Sequence, residues 1–258
     1  MEQKFFFFDI DNTLAVWPEG KIPNSAQYCI DELQRRGHLV SIATGRIQVD
    51  AMRFAEQARI TNVVADGGHS ITIDGKLVSM IGMNRDMCIQ YLEYLESKHI
   101  PWAVTDRNKL GRITPYKEIL EWHPDWDVFK TVVDPEFDFH SVEDFYKIYV
   151  FFKDGEEEEK DIEHMTHKLI RYGEGCVLYE PMEKALGVRN MIEHFHMKPN
   201  QVVVFGDGYN DLSMFRPEWL NIAMGNARPE LKLEADYVTT DCDKDGIYNA
   251  CKHFGWID

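Results

Sequence analysis

Two carboxylates stand two residues apart, Asp9 and Asp11, directly after the strand-like run Lys4 to Phe8. If the chain bends there, both face one pocket. A carboxylate can attack phosphorus to form an acyl phosphate, while its neighbour protonates the leaving oxygen and later deprotonates the attacking water. The same pair also suits an Asx turn that closes a strand. A second cluster, Gly206-Asp207-Gly208-Tyr209-Asn210-Asp211, follows another apolar run and sets oxygen ligands around two glycines. Such donors suit magnesium, which keeps several waters and takes one or two carboxylates. The attack needs a cation of that kind. A carboxylate about 4 Å from a dianionic phosphoryl group is repelled by roughly 8 kcal/mol at an effective dielectric of 20, and a divalent cation near both returns more. The cluster also reads as a glycine-rich turn with a capping aspartate, and it lacks the GxGxxG spacing of dinucleotide sites.

Thr44-Gly45-Arg46 offers a hydroxyl and neighbouring backbone N–H groups, a reasonable phosphate cradle. A helix N-cap is the commoner use of such a threonine. Lys184 opens a helical segment, where the positive dipole end disfavours a lysine and invites an anionic partner. Its bland alternative is a solvated helix lysine.

The elements that must position these groups follow from periodicity. Asp9, Thr44 and Asp207 each directly follow an apolar strand, and ligands of open α/β sheets bind outside the carboxyl ends of strands. The spacing predicts a helix over Asn24 to Arg36, a strand over His38 to Ala43, a helix over Ile47 to Ala58, a strand over Asn62 to Ala65, and a hairpin over Ser70 to Met80 with Asp74-Gly75 at its turn. That order implies a parallel, doubly wound, Rossmann-like α/β sheet with right-handed crossovers. From Met83 the texture changes. A helix (Asn84 to Lys98) and a strand (Trp102 to Thr105) precede an irregular stretch to His140. A strand (Lys147 to Phe152), an acidic-start helix (Glu156 to Tyr172) and a strand (Cys176 to Tyr179) complete this part. The first pattern then resumes with a helix (Lys184 to His196), a strand (Gln201 to Phe205), a helix near Asp211, a strand near Asn221 to Met224, and a closing helix from Gly246. The expectation is a discontinuous core, 1–82 with 180–258, interrupted by an α+β cap over 83–179.

Together the clusters resemble the haloacid dehalogenase superfamily, in its branch of capped sugar-phosphate phosphatases with the cap inserted after the third core strand. The resemblance rests on Asp9-Ile-Asp11-Asn-Thr13, Ala43-Thr44-Gly45-Arg46, Lys184 and Gly206-Asp207-Gly208-Tyr-Asn210-Asp211, followed by Ala223-Met-Gly-Asn-Ala227 and Ala235-Asp-Tyr-Val-Thr239. It implies that Asp9 is nucleophile and metal ligand, and that Asp11 is general acid and base and binds the metal through its carbonyl. Thr44 with Gly45, and Lys184, would hold the phosphoryl oxygens. Asp207 would complete a Mg2+ site, with Asp211 in support and Asn210 on the phosphate side. Three positions depart from the family pattern: Asn12 and Ala185 stand where glycine is usual, and Asp66-Gly67-Gly68 replaces Asn-Gly-Ala. Asparagine tolerates left-handed backbone. Asp66 brings a negative charge to that loop.

The expected activity is Mg2+-dependent hydrolysis of a small phosphorylated metabolite, a sugar phosphate being one candidate, with the cap closing over the site to exclude water. A phosphomutase shares nucleophile, acid and metal. A non-enzymatic phospho-acceptor module shares the acidic site, threonine and lysine, but has no general acid two residues on. With 28 basic against 44 acidic residues and a formal charge of -16, the chain should repel nucleic acid and anionic membranes. Five scattered cysteines without CxxC spacing, a start too short for a signal-peptide core and no membrane-length apolar run suggest a reducing, cytoplasmic setting. Oligomeric state is not legible. His164 and His167 read as a solvated helix face, and Trp102, Trp122, His123 and Trp126 as cap core before substrate pocket.

Overall fold

The computed structural model describes residues 2–125, 128–153, 162 and 169–258. His164, His167, Trp126 and most of the helix expected over Glu156 to Tyr172 lie outside them. The chain forms two compact units, one from Met1–Met80 with Met182–Asp258, the other from Ile81–Pro181.

In the first unit, β1 (Phe5–Phe8) lies between β2 (Leu39–Ala43) and β12 (Val202–Gly206), both parallel to it. Among the described residues the sheet runs β14 (Tyr237–Val238), β13 (Leu220–Ala223), β12, β1, β2, β3 (Asn62–Ala65), β4 (Ser70–Ile73) and β5 (Lys76–Met80). It is parallel from β14 to β3. The last two strands form an antiparallel hairpin whose turn residues, Asp74 and Gly75, have φ of 50° and 75°, the paired positive values that a two-residue hairpin requires. The four phenylalanines of β1 are wholly buried, as a central parallel strand covered on both faces demands. Phe5 meets Phe195 edge-on at 5.4 Å on one side, and Phe6 meets Trp256 at 4.8 Å on the other.

Helix α1 (Asn24–Arg35) buries Ala26, Cys29, Ile30 and Leu33, the stripe its spacing predicts. Helix α2 (Gln48–Ala58) buries Ala51, Ala55 and Ala58. The helix expected near Asp211 is a 3-10 segment, Tyr209–Met214. All five cysteines are buried and unbridged.

Among the described residues the second unit holds a six-stranded sheet ordered β10 (Leu169–Gly173), β11 (Cys176–Tyr179), β9 (Lys147–Phe151), β6 (Trp102–Thr105), β7 (Gly111–Thr114) and β8 (Lys130–Val133). Helix α3 (Arg85–Ser97) buries Cys88, Tyr91, Leu92 and Leu95 in the cluster that holds Trp102, Val104, Ile148 and Val150. Two expectations are corrected here. Leu169 to Tyr172, expected to end a helix, form a strand on β11. The stretch from Asp106 to His140 is not irregular throughout, since β7, a short α4 (Ile119–Trp122) and β8 occupy it. Trp102 is wholly buried and belongs to the core of this unit. Among the described residues no helix is long and apolar enough to cross a membrane.

Candidate active site

The ends of β1, β2, β3 and β12 converge on one set of polar groups. Asp9 leaves β1 with its backbone N–H donated to the Phe205 carbonyl at 3.1 Å, and its side chain is almost wholly buried. Asn12 takes the left-handed conformation, φ 56°, so it bends the chain as glycine would. Its N–H reaches the Ala15 carbonyl at 2.8 Å.

Lys184 is the first residue of α5 (Lys184–His194) and is fully buried. Its Nζ donates to Asp9 Oδ1 and to Asp211 Oδ1, each at 2.6 Å. These are the anionic partners its place at a helix N-terminus calls for. Together they hold its charge more firmly than water does, and its pKa lies above the usual lysine value despite burial. The close approach of α5 rests on two glycines. A Cβ on Gly68 would stand 2.2 Å from the Glu183 carbonyl oxygen, and one on Gly187 would stand 2.3 Å from Val64 Cγ1. The Glu183 N–H also donates to the Gly67 carbonyl at 2.8 Å.

Asp211 Oδ2 accepts from the backbone N–H groups of Asp207 and Gly208 at 2.8 and 2.9 Å, so with Lys184 both its oxygens are engaged. Asp207 Oδ1 accepts from Thr13 at 3.4 Å. Asn210 turns its Oδ1 toward Gly208, where a Cβ would come within 2.6 Å. Asp9, Asp207 and Asp211 can each bring one carboxylate oxygen within 4.8 Å of the others. Three carboxylates there face one ammonium, leaving two negative charges unbalanced. Burial is the main reason that the Asp9 carboxyl is pushed well above its ordinary value and Asp207 up to about 7, with the neighbouring carboxylates adding to both. Hard oxygen donors short of two positive charges fit a divalent cation of the magnesium type.

Asp11 is placed differently. Its carboxylate is gripped by the fork of Arg46, with Nη2 to Oδ1 at 2.7 Å and Nε to Oδ2 at 2.8 Å, and Arg46 also binds Asp50 at 2.5 Å. The Asp11 side chain therefore stands outside the three-carboxylate cluster. Thr44 is buried at the end of β2, and its Oγ1 accepts from the Arg46 N–H at 3.2 Å. Gly45 follows, also buried. The Asp66 to Gly68 turn joins these parts, with Asp66 N–H on the Arg46 carbonyl and Gly67 N–H on the Thr44 carbonyl. Asp66 Oδ2 accepts from Gln48 N–H at 3.1 Å, which spends its charge on the N-terminus of α2.

The family model of haloacid dehalogenase-like hydrolases matches residues 6–251. The chain belongs to that family. A putative phosphatase of Bacillus subtilis, YkrA, is 30% identical over 263 residues that cover the whole of both chains. A putative bifunctional phosphatase/peptidyl-prolyl cis-trans isomerase of Streptococcus pyogenes is 29% identical over 99% of this chain, which spans 54% of that relative's length. A solved subclass IIB sugar phosphatase of the superfamily is 26% identical with a TM-score of 0.78, covering 99% of this chain and all of that one. The haloacid dehalogenase-like chain is thus an enzyme of phosphatase type.

Three sets of contacts in this haloacid dehalogenase-like site are not legible in the motifs that hold their residues: the Arg46 fork on Asp11, the Thr13 bond to Asp207, and those of Asn226, which donates to the Asn12 carbonyl at 2.9 Å and accepts from Cys242 N–H at 2.7 Å. The spacing of Arg46 and Asp50, four residues apart, signals their own ion pair but not the fork on Asp11.

Proposed function

We propose that this enzyme hydrolyses a phosphomonoester of a small metabolite through an aspartyl phosphate on Asp9, with Mg2+ as its cofactor. The observation that carries the reading is the buried Lys184 ammonium set between Asp9 and Asp211, with Asp207 close enough to complete a cation site. Lys184 aims one carboxylate oxygen of Asp9 and leaves the other for attack on phosphorus. The phosphorus bond to the leaving oxygen breaks as Asp11 delivers a proton to that oxygen. Water then attacks the acyl phosphate, Asp11 takes its proton, and Asp9 is regenerated with release of inorganic phosphate.

Asp9 and Asp207 would hold the metal, with Asp211 orienting Lys184 and the Asp207 loop, since both Asp211 oxygens already accept hydrogen bonds. When bound, Mg2+ would offset the repulsion between carboxylate and phosphoryl group. Thr44, Gly45 and Lys184 would bind the phosphoryl oxygens, and Asn210 would back the Gly208 turn. Arg46 holds Asp11 in place, and one of its two bonds to Asp11 has to yield when the proton moves. A sugar phosphate is the favoured substrate, supported by the likeness to the subclass IIB sugar phosphatase, with the inserted unit contributing to substrate choice. Asp9→Asn should abolish Mg2+-dependent phosphate release from p-nitrophenyl phosphate, and retained turnover would sink the mechanism.

A further inference from the structure

We propose that Trp17 is the platform on which the alcohol half of the substrate lies, so that the site selects phosphomonoesters whose leaving group contains a ring. The inference rests on the phosphatase reading of Asp9 and Asp11.

Trp17 is tied to the reacting loop by a short relay. Ala15 N–H donates to the Ile10 carbonyl at 2.8 Å, Val16 N–H to the Lys21 carbonyl at 3.0 Å, and Gly20 N–H to the Val16 carbonyl at 2.8 Å. Trp17 N–H itself points at Asn12 Oδ1, 3.3 Å away. The result is a closed turn, Val16 to Lys21, hinged on the segment that carries Asp9 and Asp11. The indole meets Arg46, which in turn lies over Phe54. The Arg46 guanidinium lies 5.7 Å from the Trp17 ring centroid and 4.6 Å from that of Phe54, and a Cβ on Gly20 would sit 3.6 Å from the Phe54 ring. The guanidinium that stacks on Trp17 is the one that forks onto Asp11.

Trp17 is nonetheless 52% exposed. Tryptophan is highly buried on average, and an indole has two faces, of which one guanidinium covers one at most. A half-open indole at the end of a hydrogen-bonded relay therefore offers a flat apolar face beside the general acid. Whatever is bonded to the oxygen that Asp11 protonates must pass through the neighbourhood of Asp11 and Arg46. A sugar ring with its face of C–H bonds, or an aromatic ring, suits that surface. A short open-chain alcohol leaves it uncovered.

The test compares three substrates on the full chain with Mg2+: a hexose 6-phosphate, p-nitrophenyl phosphate and glycerol 1-phosphate. The proteins are wild type, Trp17→Ala and Trp17→Phe. For the ring-bearing substrate that the site accepts, Trp17→Ala should lower kcat/KM about tenfold more than for glycerol phosphate, ~1.4 kcal/mol of selectivity. The loss should fall mainly in KM, and Trp17→Phe should restore most of it. Selectivity lost in the hexose arm alone identifies a sugar leaving group, and in the nitrophenyl arm alone an aromatic one. An equal fall for all three substrates, or ring preference untouched in Trp17→Ala, overturns the platform. Turnover that survives Asp9→Asn overturns the phosphatase reading and the platform with it, whereas Asp9-dependent turnover with unchanged ring preference overturns the platform alone.

Discussion

Asp9→Asn offers a readout besides lost activity, because the charge it removes sits among others of its own sign. Asp207 and Asp211 bring oxygens within 4.8 Å of Asp9. At an effective dielectric of 20, each repels the Asp9 carboxylate by about 3.5 kcal/mol or more. Lys184 at 2.6 Å returns about 6 kcal/mol on the same scale. One ammonium therefore does not balance two carboxylates, and the cost of burying the charge comes on top, in line with the upward displacement of the Asp9 carboxyl. Asparagine keeps the shape and the oxygen that accepts from Lys184. The metal-free variant should be more stable than the parent by about 1–2 kcal/mol near pH 8, which raises Tm by about 2–4 °C per kcal/mol for a chain of this size. Saturating Mg2+ should then raise Tm less in the variant than in the parent, because a ligand stabilises in proportion to its affinity for the folded state. Melting curves with EDTA and with MgCl2, beside phosphate release, measure both effects. A metal-free variant that melts below wild type would refute the charge argument even if turnover were lost by roughly 10⁴-fold or more, the scale expected for a missing nucleophile.

The remaining predictions concern the supports of the site. Asp207 holds its proton up to about 7 in the metal-free protein, so its folded pKa exceeds the unfolded one. Its contribution to stability is full below about pH 4 and is lost as pH rises through about 7, and the cation must displace that proton. The rise in Tm caused by Mg2+ should therefore grow between about pH 5 and about pH 7.5, and a pH-independent rise would contradict it. Gly68→Ala puts a Cβ 2.2 Å from a backbone oxygen at φ 108°. It should cost about 2 kcal/mol or more by urea denaturation and lower kcat by displacing Lys184. Arg46→Ala should lower kcat about tenfold or more by freeing Asp11, while the Mg2+ concentration for half activity stays within about twofold, since Arg46 touches none of the three clustered carboxylates.

What was legible in the sequence was the part set by continuous apolar runs. Lys4 to Phe8, His38 to Ala43 and Gln201 to Phe205 could be read as strands because a parallel sheet covered on both faces needs nothing else. The residues just past them then stood out as chemistry. Lys184 was legible for a different reason, its misfit with its own helix. Partnerships between side chains were not legible. Arg46 and Asp11 are 35 residues apart, and no local pattern says that a guanidinium will fork onto that carboxylate. Asp66 looked like an added charge in the pocket, and its role in holding Gln48 N–H needs the turn of the chain to be known. In the second unit, β7 carries Arg112, which is buried with Nε on Thr131 Oγ1 and Nη2 on the His123 carbonyl, its guanidinium 4.8 Å from the Phe151 ring centroid. A buried arginine held by long-range partners erases the alternation that marks a strand.

The pairing of β1 with β12 has a consequence for synthesis. Phe5 lies opposite Val202, so the strand that carries the nucleophile waits for about 200 residues, some 10–40 s at the usual pace of translation, before one of its two neighbours exists. During that interval four consecutive phenylalanines have one open edge. Lys184 and Asp211 arrive with the same late segment, so the nascent chain holds Asp9 without either of them. An emerging polypeptide of this kind is a natural client for chaperones, and it becomes chemically competent only after the segment with Lys184 and Asp211 has been made.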